Sequence, residues 1–115
     1  MLNVSNYIDN DRIYIGATSV KDNEPYGDVT INLPEFFVRD IDEGFLDSFT
    51  NSSDINLIPT MKKLGIIKES YGKRNYNFGS YEYVKFDLDK LKEYDKKGVD
   101  EYLNLYSDID YDISI

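Results

Sequence analysis

The stretch Tyr81-Glu82-Tyr83-Val84-Lys85-Phe86-Asp87-Leu88 carries the clearest secondary-structure signal in this sequence of 115 residues. Its alternate side chains form two sets, which are Glu82, Val84, Phe86 and Leu88 on one side and Tyr81, Tyr83, Lys85 and Asp87 on the other. A period of two residues is typical of a β-strand with one buried face. The segment is therefore predicted to be a strand whose apolar face other elements must cover.

Downstream of this strand the period changes from two residues to that of a helix. The apolar residues at helical spacing are Leu88, Leu91, Tyr94, Val99, Tyr102 and Leu103. With Asp87 or Asp89 as the cap and Gly98 as a possible break, this pattern predicts one long helix or two short helices over residues 89–106. The tail, residues 107–115, alternates again between apolar and acidic side chains, which predicts an extended strand.

Upstream of the strand, two shorter segments alternate in the same way. Residues 12–17 and 28–33 each carry apolar side chains at every second position, and the second segment places Thr30 on the outward side. The polar residues 21–25 between them favour a turn, and Pro34 ends the second segment. The two segments therefore predict an antiparallel hairpin.

The middle of the chain is less regular. Residues 45–49 are a candidate third strand. Residues 55–64 predict a short helix, and it must begin at Asn56 or later because Pro59 is tolerated only in the first turn. Residues 69–77, rich in Gly, Lys and Arg, predict a mobile turn.

The length of the chain suits one hydrophobic core rather than two, so residues 1–115 are predicted to be a single domain. The mixture of strands and helices predicts an α+β fold, with a small, mostly antiparallel sheet and two helices packed on one face. The sequence shows neither a secretion leader nor a run of about 20 apolar residues. It also has no cysteine, so we expect a cytoplasmic protein without membrane contact.

Composition limits the chemistry. The chain has no histidine and no cysteine, and so lacks the usual proton shuttle near neutral pH, a thiolate nucleophile and the ligands of most zinc sites. Asp108, Asp110 and Asp112 echo the start of a calcium-binding loop, but Ile113 stands where that loop needs glycine. We therefore expect no enzyme activity, no metal and no cofactor.

Charge is distributed unevenly along the chain, whose formal net charge is −9. Residues 1–60 hold 11 acids against 3 bases, residues 61–97 hold 6 acids against 10 bases, and the last 18 residues hold 5 acids and no base. An anionic surface repels nucleic acid and attracts cationic surfaces. The acidic set that we expect to contact a partner comprises Asp40, Asp42, Glu43, Asp47, Asp108, Asp110 and Asp112.

The three acids of the tail suggest a more specific hypothesis. On an extended strand, alternate residues repeat about every 6.8 Å, close to the spacing of every second phosphate along a DNA strand. Asp108, Asp110 and Asp112 are thus predicted to imitate phosphates and to enter a cationic groove that normally holds nucleic acid. The alternative is a solvated edge strand whose charges prevent aggregation.

Tyrosine is unusually frequent, with 11 Tyr and 6 Phe in the chain. The tyrosine set, which comprises Tyr71, Lys73, Arg74 and Tyr76, places rings beside cations in the basic middle region. Such a set is typical of a protein-recognition surface. It also suits stacking on single-stranded nucleic acid, including a guide RNA. The alternative is an ordinary mixture of strand core and turn aromatics.

Residues 26–33 read Tyr-Gly-Asp-Val-Thr-Ile-Asn-Leu, residues 45–47 read Phe-Leu-Asp, and residues 78–87 read Phe-Gly-Ser-Tyr-Glu-Tyr-Val-Lys-Phe-Asp. In these motifs the chain, over roughly residues 11–92, resembles an uncharacterised family of small acidic proteins that conjugative elements and prophages of Gram-positive bacteria carry. The resemblance supplies no catalytic residue. It implies a protein that protects a mobile element from host defence, such as an anti-CRISPR protein.

Two functional hypotheses follow. The first is an inhibitor of a host defence nuclease, of the CRISPR effector type, that occupies a basic nucleic-acid channel and blocks guide-RNA or DNA engagement. The second is an antitoxin-like or regulatory adaptor of a mobile element that binds a partner protein through the tyrosine set.

Overall fold

The computed structural model of the protein describes residues 2–18, 25–47 and 57–114, with side chains described for residues 2–18, 27–47 and 57–106. Within these ranges the chain forms seven strands and two helices. They are β1 (Leu2–Asn6), β2 (Ile13–Thr18), β3 (Pro25–Asp28), β4 (Thr30–Ile31), β5 (Glu43–Leu46), α1 (Leu57–Lys63), β6 (Ile67–Tyr76), β7 (Gly79–Phe86) and α2 (Leu88–Ser114).

The strands form two antiparallel sheets, one in the order β1-β2-β3 and one in the order β4-β5-β7-β6. The α+β class predicted from the sequence is therefore confirmed, although two adjoining sheets replace the single sheet. The predicted hairpin is confirmed only in part: β2 pairs antiparallel with β3 and Gly16 lies opposite Asp28, but the second strand is Pro25–Asp28 and not residues 28–33. The turn predicted over residues 21–25 lies outside the described residues, except for Pro25, which begins β3.

The two sheets meet at Val29, which interrupts the strand predicted over residues 28–33. The Val29 N–H donates to the carbonyl of Ile15 at 2.8 Å, and the Val29 carbonyl accepts from the N–H of Asp47 at 2.8 Å. Thr30, predicted to face outward, is only 1% exposed. Its hydroxyl accepts a hydrogen bond from the Ile15 N–H at 3.0 Å, so an inward-facing polar side chain is satisfied at this junction.

One large apolar cluster joins both sheets and both helices. It contains Ile13 and Ile15 of β2, Val84 and Phe86 of β7, Met61 of α1, and Leu91, Val99 and Tyr102 of α2. The prediction for the first helix is confirmed, because α1 begins at Leu57 with Pro59 in its first turn. Gly65, with φ of +79°, lies just beyond its end, where glycine adopts the left-handed conformation at little cost.

One prediction about the strands is wrong, and one strand was not predicted. Residues 69–77 were expected to form a mobile turn, but most of them belong to β6, which pairs antiparallel with β7. The only turn in that stretch is at Asn77 and Phe78. Sequence pattern also missed β1, which pairs antiparallel with β2 from Leu2 to Asn6. Both are edge strands of their sheets, where alternation of polarity is weakest.

Helix α2 is interrupted at Asp95, whose φ of −151° and ψ of 76° are not helical. The Asp95 carboxylate accepts a hydrogen bond from the Gly98 N–H at 3.0 Å, which is the bond that an N-cap residue makes. Of the two alternatives predicted for residues 89–106, one long helix or two short helices, the structure shows two helical segments, but the break falls at Asp95 and not at Gly98, and the second segment continues to Ser114. The tail prediction is wrong, because the backbone is helical as far as Ser114.

Candidate binding site

The four-stranded sheet has a second apolar face, on the side away from the main cluster. Phe45 of β5 and Tyr83 of β7 lie there, and Leu33 packs against them. The connection of residues 32–42 covers this face. Arg12 holds the connection in place, since its guanidinium donates to the carbonyls of Leu33 at 2.9 Å and Phe36 at 2.7 Å.

A bulge in β6 determines which side chains reach this face. Ser70 lies opposite Val84 and Lys73 opposite Glu82, so Tyr71 and Gly72 together face the single residue Tyr83. The additional residue shifts the alternation of the strand by one position. As a result Tyr71 and Arg74, three residues apart, share the face that carries Tyr83, and Gly72 has the positive φ of +90° that the bulge needs.

Two arginines lie over rings on this face. The Arg39 guanidinium carbon is 4.3 Å from the centre of the Tyr71 ring, and that of Arg74 is 5.2 Å from the centre of the Tyr83 ring. Both distances allow a cation–π interaction. The Arg74 guanidinium also donates to the carbonyl of Lys73 at 3.2 Å. Among the described residues no carboxylate forms an ion pair with Arg74.

The carboxylate of Glu43 holds the Arg39 side chain in position. Its side chain is 2% exposed and pairs with the Arg39 guanidinium at 3.1 Å, while the backbone N–H of Arg39 and the hydroxyl of Tyr83 donate to its other oxygen. Burial alone would raise the pKa of Glu43, but these hydrogen bonds and the charge of Arg39 outweigh burial and lower it. Glu43 is therefore charged at neutral pH and holds Arg39 over the Tyr71 ring.

Together these residues line a cavity of about 490 Å³, formed by Phe36, Phe37, Arg39, Tyr71, Arg74 and Tyr83. We call these six residues the aromatic–arginine site. Its volume lies within the range of sites that bind small molecules or side chains of a partner. Phe37 is 79% exposed, which leaves a large apolar ring in water at the rim. Exposure of such a ring costs free energy that contact with a partner would recover.

The tyrosine hydroxyls of the site stay protonated at neutral pH. Burial and the hydrogen bond to Glu69 raise the pKa of Tyr71 to about 12. Burial and Glu43 also raise the pKa of Tyr83. At neutral pH each hydroxyl therefore keeps its proton and donates it in a hydrogen bond to a carboxylate, Tyr71 to Glu69 and Tyr83 to Glu43. The groups of this site are suited to contact and hydrogen bonding.

The structure brings together three of the four residues of the tyrosine set. Tyr71 and Arg74 line the aromatic–arginine site, and the ring of Tyr76 lies 6.2 Å from that of Phe36. Lys73 is the exception, because its register opposite Glu82 places it on the other face of the sheet. There it helps to lower the pKa of Glu82, which is ion-paired with Lys62 at 3.1 Å.

The acidic residues between positions 40 and 47 do not form a row of isolated charges. Lys85 lies between Asp42, at 3.2 Å, and Asp40, at 3.8 Å, and Glu43 pairs with Arg39. The hydrogen bond to Asp42 is the largest cause of the raised pKa of Lys85. Asp47 lies at the junction of the two sheets, where its backbone N–H bonds to Val29.

The acids of the tail, Asp108, Asp110 and Asp112, lie on helical backbone. A helix advances about 1.5 Å per residue, so alternate residues cannot repeat at the 6.8 Å of an extended strand. The proposed imitation of a phosphate row by an extended tail is therefore wrong in its geometry. The participation of these acids in binding stays a prediction.

Sequence reasoning missed three residues of the site, namely Phe36, Phe37 and Arg39, whereas Tyr83 was expected among the aromatic residues beside Lys73 and Arg74. The adjacent pair Phe36-Phe37, two residues after Pro34, was the available signal, since two successive aromatic rings in a connection cannot both point into one core.

The described residues contain no group of three or more acids placed to hold a metal ion. In the same part of the chain, no helix combines the length and the apolar character that crossing a membrane requires.

These features define a small α+β domain with a solvent-accessible aromatic and cationic site. Residues 1–106 match the family model described as a domain of unknown function (DUF4313), and the chain belongs to this family. The prediction of an uncharacterised family is thus confirmed, and the match extends beyond the segment of roughly residues 11–92 that carried the resemblance. No curated protein and no solved structure matches the chain.

Proposed function

We propose that this protein acts without catalysis, by binding a partner protein through the aromatic–arginine site. One observation carries this proposal. The cavity places two guanidinium groups and four aromatic rings together, with Phe37 exposed at the rim. Aromatic residues and arginine are the residue types most enriched at the centres of protein interfaces, because they combine a large contact area with directional hydrogen bonds.

A protein partner fits the charge of the molecule better than nucleic acid does. The site itself is cationic, but the whole chain has a formal net charge of −9. Nucleic acid approaching the site would be repelled by the long-range field of the protein. A partner protein with a local acidic patch can contact the two arginines without carrying a large charge of its own.

The test compares two exposed phenylalanines. Phe37→Ala removes the ring at the rim of the site, and Phe78→Ala removes a ring that is 108% exposed at the β6–β7 turn. Tagged wild-type protein and both variants are used to isolate partners from extracts of the native cells. Recovery of the specific partner should fall about tenfold or more with Phe37→Ala and stay unchanged with Phe78→Ala. Equal recovery with all three proteins would contradict the proposal.

The host-nuclease inhibitor is a second candidate, and the formal net charge of −9 favours it. In this version the partner is a CRISPR effector, and binding blocks guide-RNA or DNA engagement. Because Lys85 and Arg39 already pair with Asp40, Asp42 and Glu43, the contact would depend on the aromatic–arginine site and on acids elsewhere. The adaptor of a mobile element would use the same site on a different partner.

A cleavage assay distinguishes these two roles. The effector is incubated with this protein in about tenfold excess before guide RNA and target DNA are added. Reduced cutting supports the inhibitor, whereas full cutting ends that idea for the enzyme used. Repeating the binding step near 0.5 M salt, where screening extends only about 4 Å, shows whether charge or ring contact holds the complex.

A further inference from the structure

Strand β6 ends the four-stranded sheet, and its outer edge carries no paired strand among the described residues. The edge is unusual in length, since β6 runs over ten residues from Ile67 to Tyr76. Its main-chain groups on that side are available to a strand from another molecule. Proteins often block such edges with a bulge, and β6 does contain one at Tyr71 and Gly72.

Beyond the bulge, however, four residues pair regularly with β7. Lys73–Tyr76 lie opposite Gly79–Glu82 without interruption, and the hairpin closes through the two-residue turn at Asn77 and Phe78. In such a hairpin the residues that flank the turn form the first hydrogen-bonded pair. Alternation then directs the N–H and C=O groups of Lys73 and Asn75 away from β7, and of these the Lys73 C=O accepts a hydrogen bond from the Arg74 guanidinium at 3.2 Å. A carboxylate that binds Arg74 would release this carbonyl to an added strand. This short regular segment lies beside the aromatic–arginine site, because Arg74 belongs to both.

The charge of β6 indicates which kind of chain could pair with its outer edge. Strand β6 carries Lys68, Lys73 and Arg74 against the single acid Glu69, with Lys73 on the opposite face of the sheet from Arg74, so the strand is cationic on a protein of formal net charge −9. A second copy of β6 would bring the same cations together, and like charges on paired strands are unfavourable. Nucleic acid lacks a backbone that matches a strand ladder. An extended acidic peptide satisfies both the ladder and the cations.

We propose that the partner contributes an acidic extended segment that adds to the sheet as a fifth strand along Lys73–Tyr76 and places a carboxylate against Arg74. This inference rests on the proposed function and names the chemistry of the partner at the same site. Arg74 is prepared for the contact, because it lies over the Tyr83 ring and lacks an ion pair among the described residues. A planar guanidinium in this position can bind a carboxylate through two N–H groups.

The experiment uses a fluorescein-labelled peptide of about twelve residues that alternates Glu and Thr, long enough to span the edge. The whole chain is tested as wild type, as Asn75→Pro and as Asn75→Thr. Proline removes the outward N–H of Asn75 without removing a bond to β7, whereas threonine keeps it. We expect fluorescence anisotropy to show binding by wild type and Asn75→Thr, with the dissociation constant about tenfold higher for Asn75→Pro. Circular dichroism verifies that each variant is folded.

Further binding measurements test whether a different molecule binds to the edge of β6. A peptide with Lys in place of Glu should not bind, and Arg74→Gln should weaken binding of the acidic peptide. Unchanged binding by both Asn75→Pro and Arg74→Gln would overturn the proposal. Tighter binding of a twelve-nucleotide oligouridine than of the acidic peptide would also overturn it, as would a dimer of the free protein that Asn75→Pro abolishes in sedimentation.

The native partner separates this inference from the proposed function. If Phe37→Ala loses the partner while Asn75→Pro keeps it, the aromatic–arginine site binds the partner without strand addition, and only the inference fails. If both variants keep the partner, the proposed function fails as well. Loss with both variants, together with retention by Asn75→Thr, supports the proposal.

Discussion

The carboxylate of Glu43 is charged at a position from which water is almost excluded. Its 2% exposure is compatible with charge because the Arg39 guanidinium, the Arg39 N–H and the Tyr83 hydroxyl all bond to it. These bonds connect the 32–42 connection to the four-stranded sheet. Little of the Glu43 carboxylate is left for a cationic partner to reach, and its contact with a partner stays a prediction. Glu43 positions Arg39 for the site.

Glu43→Gln tests this role at the scale of one residue. The amide has nearly the same shape but loses the negative charge that pairs with Arg39 and strengthens the hydrogen bond from the Tyr83 hydroxyl, so the free energy of unfolding should fall by about 1–3 kcal/mol. Urea unfolding followed by circular dichroism measures the change. Glu101→Gln, on the exposed surface of α2, is the matched control and should change stability by less than about 0.5 kcal/mol. Equal stability of the two variants would contradict the structural role.

At the scale of elements, β1 contacts α2 at the point where α2 is interrupted. One residue, Asp95, both interrupts the helix and binds the edge of the strand. The Asp95 carboxylate caps the second part of α2 and also accepts the outward N–H of Val4, at 2.9 Å, from the edge of β1. Gly98 brings the two backbones together, since a Cβ there would collide with the carbonyl of Val4 and the Asp95 carboxylate. The helix thus covers the edge of β1.

Gly98→Ala should therefore destabilise the protein. In an ordinary helix the same change would stabilise by about 1 kcal/mol. Here the new methyl group meets a neighbouring backbone, so we expect a loss of about 1–3 kcal/mol instead. Thermal and urea unfolding measure the sign, with Lys97→Ala as an exposed helical control. A more stable Gly98→Ala protein would show that β1 and α2 do not approach as closely as described.

Asp95→Ala tests the other half of the junction. It removes the N-cap and leaves the Val4 N–H without its acceptor, so the free energy of unfolding should fall by about 1–2 kcal/mol. Asp95→Asn keeps a side-chain oxygen that can cap the helix and should lose less. Amide hydrogen exchange at Val4 provides a local measurement, since faster exchange is expected in Asp95→Ala. Unchanged exchange at Val4 would contradict the bond.

At the scale of the whole molecule, the charged groups determine how stability depends on pH. The pKa values of Glu43 and Glu82 are lowered in the folded protein from an ordinary 4.5, burial being outweighed by hydrogen bonds and nearby cations. The unfolded chain then binds protons more tightly than the folded one, so their stabilisation exists above pH 4.5 and is lost as pH falls further. Burial raises the pKa of Tyr102, so this residue affects the free energy of unfolding at alkaline pH.

Stability should therefore be nearly constant around neutral pH and fall at both ends. Below about pH 4.5 the loss comes from Glu43 and Glu82, and above pH 10 from tyrosines such as Tyr102, which ionise more easily in the unfolded chain. Urea unfolding across a pH series measures this curve. The Glu43→Gln variant should show a smaller decline on the acid side than wild type, and an identical acid decline would exclude Glu43 as its cause.

Sequence pattern was sufficient where one period ran without interruption. Strand β7, helix α1 and the start of α2 follow from alternation, from Pro59 and from helical spacing, because each buries a face that its own residues define. It failed at β6, where two register shifts break the period of two, and at the tail, whose backbone is helical despite its alternating residues. Gly72 was the local sign of the bulge in β6, since its φ of +90° suits the extra residue, but the period of two does not show where such a residue is inserted.

The sequence by itself determined the α+β class, the strand predicted over residues 81–88, the helical character of residues 89–106, and the lack of histidine and cysteine that limits the chemistry. Only the tertiary structure decided which charged side chains form ion pairs and which aromatic rings lie on the same face of the sheet. Lys85 and Arg39 pair with acids that looked available in the sequence, and the bulge at Tyr71 places Tyr71 and Arg74 on one face with Tyr83. The physical reason is that periodicity depends on neighbours along the chain, whereas ion pairs and cavities depend on neighbours in space.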